Sequence, residues 1–119
     1  MDKTDIAIVG INGRFPSAID VSDFWHNQIN GIDTVSLVPE ERWKWQDLFG
    51  MTDDNNEKTL ANTAAFAPHI DAFDYRFFDI LPREAQSMDP QQRLFLQTAY
   101  SALEDAGYAP ASLSGSNTG

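Results

Sequence analysis

Ser87 to Gly107 reads SMDPQQRLFLQTAYSALEDAG, and it carries both a start and a stop signal for a helix. Asp89 at the N-cap, Pro90 at the first helical position and Gln92 two residues further on form a start of the capping-box type. Gly107 supplies the residue past the end, where a left-handed backbone is wanted. Pro90 to Ala106 would make about 25 Å of helix at ~1.5 Å per residue. Phe95, Ala99, Ala102, Leu103 and Ala106 fall on one apolar face, widened by Leu94, Leu96 and Tyr100. Arg93, Gln97, Ser101, Glu104 and Asp105 mark a polar stripe. A helix this apolar belongs inside a layered domain, with its alanines where a neighbour comes close.

Outward from this helix, the chain reads as α/β. Ile6–Val9 (IAIV) is a short apolar run ended by Gly10, which suits a strand buried on both faces of a sheet covered by helices. GINGRFP, closed by Pro16, is a loop. Asp20–Gly31 predicts an amphipathic helix capped by Asp20, with Asp23 in its first turn. Its apolar face is Val21, Phe24, Trp25 and Ile29, joined by Gln28, and Gly31 ends it. A short strand is expected at Val35–Val38, and a helical turn after Pro39 anchored by Trp43 and Trp45. MTDDNNEKTL (51–60) reads as a polar surface loop, and ANTAAFAPHI (61–70) as the place of a second short strand. In DAFDYRFFDILPREAQ (71–86), Phe73, Phe77, Phe78, Ile80 and Leu81 should pack hard, and Pro82 opens a short helix.

Composition narrows the function. Hydrophobic residues are 42% and aromatics 12% of the chain, enough to build a core. Lys and Arg number 8 against 18 Asp and Glu, a formal charge of −10, and phosphate neutralisation needs the opposite balance; nucleic acid is not the expected partner. No apolar run is long enough to span a membrane, and the N-terminus lacks the pattern of a signal peptide. The chain has no cysteine, which excludes disulfides, thiolate metal sites and a cysteine nucleophile. A reducing, cytoplasmic setting is expected.

Each candidate for chemistry has a plainer competitor. Gly10 and Gly13 invite a dinucleotide loop, but Asn12 and Phe15 stand where G-x-G-x-x-G requires glycine, so a tight strand-exit turn is favoured. His26 and His69 are the only imidazoles, and without clustered carboxylates they make a poor metal site. Ser87, Thr98, Tyr100 and Ser101 offer hydroxyls that no base at a recognisable spacing activates. Asp71, Asp74 and Asp79 lie among phenylalanines and turn residues, where capping explains them better than acid–base work.

Four stretches together resemble the N-terminal part of a ketosynthase, the condensing domain of modular polyketide synthases. They are IAIVGINGRFPSA (6–18), DFWHNQINGIDTVSLVPEERW (23–43), FDYRFFDILPREAQSMDPQQR (73–93) and ALEDAGYAPASLSGSNTG (102–119). PREA (82–85) followed by MDPQQR (88–93) is the most specific part. The TDDNNEKT insertion (52–59) resembles ketosynthases of trans-acyltransferase assembly lines. The resemblance implies a thiolase-like fold of two pseudo-equivalent halves, assembled as a homodimer. This chain would be its incomplete N-terminal portion: the first buried strand at Ile6–Val9 plus layer helices, truncated before the catalytic cysteine region.

The implied reaction is acyl transfer to a cysteine, then decarboxylative Claisen condensation with a malonyl unit. Substrates of that reaction ride on the phosphopantetheine of acyl carrier proteins. The family's cysteine and two histidines have no counterpart in this sequence, so no catalytic, cofactor or metal residue is assigned and no cofactor is expected on this segment. Expected partners are the remainder of the ketosynthase domain, a second copy of that domain and an acyl carrier protein. Two departures from the family pattern stand out: Leu81 replaces the serine that would cap the PREA helix, and Ala64-Ala65-Phe66 replaces the common GGF. The alternative to a condensing-enzyme segment is a stand-alone, non-catalytic interaction module derived from one. A reading frame continuing through a cysteine motif would favour the segment, and a natural stop after Gly119 the module.

Overall fold

The computed structural model describes residues 5–48, 50 and 61–117. Its elements run α1 (Val21–Ile29), β1 (Val35–Leu37), α2 (Trp45–Leu48), β2 (Thr63–Ala65), α3 (Pro82–Ser87) and α4 (Pro90–Asp105), then a 3-10 turn at Pro110–Leu113. β1 and β2 pair antiparallel, with Val35 opposite Ala65 and Leu37 opposite Thr63. All six residues of this pair are exposed. Val38 continues the pairing through its amide, 2.9 Å from the Asn62 carbonyl, and is itself buried.

The helix ends follow from their residue types. The Asp20 carboxylate accepts from the Asp23 amide at 2.8 Å, and that of Asp89 accepts from the Gln91 amide at 2.7 Å. Both helices close in the same way. Gly31 and Gly107 sit at positive φ, +60° and +75°. The Gly107 amide bonds the Glu104 carbonyl and the Tyr108 amide that of Leu103, while the Gly31 and Ile32 amides bond Gln28 and Asn27. This double bond pattern satisfies carbonyls that the last helical turn leaves open. Asp79 (φ 52°) performs the same closure for the turn that Asp74 caps at 3.0 Å through the Phe77 amide.

Both departures from the family pattern have a local outcome. Leu81 caps α3 with no side-chain hydrogen bond and is 72% exposed. Leu81→Ser is therefore expected to stabilise the domain by about 0.5–1 kcal/mol, the usual worth of a hydroxyl cap. A rise in the urea midpoint checks it, and no rise would mean the α3 amides already have partners. Ala64 and Ala65 lie in β2 and are absent from the positive-φ residues. Alanine thus costs no left-handed strain there.

Four expectations change. Of the residues at 71–86 expected to pack hard, Phe73, Phe78 and Ile80 are half-buried, but Phe77 and Leu81 are exposed. Ile6–Val9 is not a buried strand: it belongs to no sheet among the described residues, and Ile6, Ile8 and Val9 are 94%, 84% and 63% exposed. A strand needs a ladder neighbour, and β1 and β2 pair only with each other. The face of α1 is covered only in part, because Val21 and Phe24 are half-buried whereas Trp25 and Ile29 are each 63% exposed. On α4, Phe95 and Ala99 lie open, while Arg93, Gln97 and Ser101 of the expected polar stripe are half-buried.

Burial is slight overall. Among the described residues, Ala18, Val38 and Ala85 are the buried hydrophobic ones, none of them large. The chain exposes 9633 Å², where a closed monomer of this size presents about 6,500 Å². Its radius of gyration is 19.4 Å, against about 13–14 Å for a compact domain of this length.

Candidate functional site

The best-organised surface lies around α4, which is approached from two sides. On one side, the 71–86 segment places Phe73, Phe77 and Phe78 over the helix. Phe73 and Phe78 stack at 5.3 Å, and Phe77 meets Tyr100 edge-on at 4.7 Å, 87° between planes. Phe78 also faces Tyr100 edge-on at 6.3 Å. Edge-to-face pairs align ring edges with the negative faces of their neighbours. Arg93, Gln97 and Tyr100 fall on this one helix face, which explains the inward turn of the expected polar stripe. The Nε of Arg93 and the Oε1 of Gln97 are enclosed without a hydrogen-bond partner.

On the other side, Gly10 presses against the C-terminal half of α4. A Cβ built on Gly10 would collide with the Ala102 carbonyl oxygen and lie 2.7 Å from the Cβ and 2.8 Å from the amide of Ala106. One residue later, the Ile11 amide donates to the Asp105 carboxylate at 2.9 Å. The alanines of α4 thus admit backbone, as their size implies. The Gly10–Asp105 approach was missed by sequence reasoning. Its only trace is the Ala102/Ala106 pair, one turn apart, facing a chain that ends an apolar run in glycine.

The candidate chemical residues do not converge. His26 is exposed on α1, its carbonyl accepting from Asn30 Nδ2 at 2.8 Å. His69 sits in an exposed loop at φ 53°. A cleft of about 490 Å³ gathers Glu41, Arg42, His69 and Asp71 beside Phe66 and Ile70, but no hydroxyl, thiol or lysine side chain lines it. Ser87 donates to the Glu84 carbonyl at 2.9 Å and Thr98 to that of Leu94 at 2.7 Å. Tyr100 serves the aromatic cluster, and Ser101 is half-buried on α4. Asp74 caps a turn, and Asp71 and Asp79 face different surroundings. Among the described residues, no group of three His, Cys, Asp or Glu side chains could hold a metal ion. Gly13 touches the Phe15 ring, and the loop bends through a Phe15–Ala18 bridge before α1, so no helix N-terminus opens on these glycines.

These contacts describe a helix approached on two sides by its own chain. The chain belongs to the family described as "Beta-ketoacyl synthase, N-terminal domain", which it matches over residues 3–119. It is 49% identical over 109 residues to the polyketide synthase PksL of Bacillus subtilis, covering 92% of this chain and 2% of that protein. It is 46% identical over 114 residues to the polyketide synthase ThaG of Burkholderia thailandensis, covering 96% and 2%. The chain thus spans about 2% of the length of these relatives.

Among solved structures, it resembles the oxazolomycin ketosynthase domain from Streptomyces albus. The TM-score is 0.83 at 40% identity, covering 91% of this chain and 19% of that one. A ketosynthase from module 6 of the bacillaene synthase of Bacillus subtilis follows with TM-score 0.79 at 36% identity, covering 90% and 18%. The architecture is therefore the N-terminal portion of a thiolase-like fold. Ketosynthase domains of this kind are parts of larger polyketide synthases. Among the described residues no helix is long and apolar enough to cross a membrane.

The MDPQQR start of α4 gives a modest prediction. Asp89→Ala should destabilise the complete domain by about 1 kcal/mol, because the Gln91 amide loses its acceptor. Chemical denaturation measures it, and an unchanged midpoint would remove the cap from the account.

Proposed function

We propose that residues 1–119 form the first portion of a polyketide synthase condensing domain and carry no catalysis of their own. The domain would transfer an acyl group to a cysteine and extend it by decarboxylative Claisen condensation with a malonyl unit. Both substrates would be carried on the phosphopantetheine of acyl carrier proteins, and the domain would work as a homodimer. One observation carries this reading: a ketosynthase fold match at TM-score 0.83 covers 91% of this chain but only 19% of its counterpart. The chain contributes no thiol, and the reaction needs a thiolate nucleophile. The TDDNNEKT insertion lies outside the described residues; the likeness to bacillaene synthase ketosynthases supports its trans-acyltransferase reading.

The test is to follow the reading frame past Gly119 and assay the whole encoded domain. Condensation of an acyl thioester with a malonyl carrier, lost on changing the downstream cysteine to alanine, is the expected result. A stop codon at that point, with a stable and inactive product, would favour the interaction module.

A further inference from the structure

We draw no further inference here: the strongest candidate, the cleft beside α4 lined by Asp71, Tyr75, Gln86 and Arg93, carries nothing because the orphaned Arg93 Nε is already enclosed by the chain's own atoms and nothing in the structure shows what fills the cleft.

Discussion

A polypeptide of residues 1–119 produced alone is expected to give a helical far-UV spectrum, a sloping thermal profile without a cooperative transition, and no condensing activity. α1 and α4 have their own side-chain caps and glycine stops, so local hydrogen bonding can persist. Cooperative unfolding requires a shared core, and the buried hydrophobic side chains among the described residues are those of two alanines and one valine. At ~25 cal/mol per Å² of apolar surface, such small groups cannot offset a backbone ordering cost of about 1–2 kcal/mol per residue. Ile6, Ile8 and Phe95 stand in water at 94%, 84% and 72% exposure, so binding of a hydrophobic dye should accompany the helical signal. A sharp two-state melt in a monodisperse monomer would overturn this and support a module that folds by itself.

Replacing Gly10 by valine in the complete domain should cost more than about 3 kcal/mol. The added Cβ meets a backbone carbonyl of α4 and the backbone amide of Ala106, neither of which can rotate away. Relief requires the 6–10 segment to move off the helix, and the Ile11–Asp105 bond goes with it. Gly13→Ala is the comparison. Its Cβ would meet the Phe15 ring, a side chain that can swing, although Phe15 stacks on Phe24 at 4.3 Å. Equal losses for the two variants in urea unfolding would refute the close approach at Gly10.

Local grammar was legible in the sequence because it depends on neighbours in the chain. Asp20, Asp89, Gly31 and Gly107 all take their expected capping places, and both short strands lie where the apolar and β-branched residues put them. Faces were less legible. Arg93 and Gln97 looked like a solvent stripe, since polarity is a sound guide only when a helix has one wet side. Here the 71–86 aromatics take one side of α4 and Gly10 part of the other, so polar residues are enclosed while Phe95 lies open. The Ile6–Val9 strand shows a related limit. Its apolar run records where a sheet should be, but a ladder forms only with a neighbouring strand. The ketosynthase resemblance was legible because the PREA and MDPQQR residues set the starts of α3 and α4, through Pro82, Asp89 and Pro90. The sequence has no cysteine, so no thiol nucleophile could be read from it.

The bond from the Ile11 amide to Asp105 joins residues 94 apart, and this sets a clock. A ribosome adding ~5–20 residues per second needs roughly 5–20 s to deliver Asp105 after Ile11. Throughout that interval the isoleucine- and valine-rich run just before Gly10 has nowhere to dock, and such a run is prone to pair with other nascent chains. The arrival of α4 gives its end a first anchorage. Slowing translation before α4 has emerged from the ribosome should therefore leave the Gly10–Ile11 end unanchored for longer and raise aggregation of newly made protein more than the same delay placed after α4 has docked.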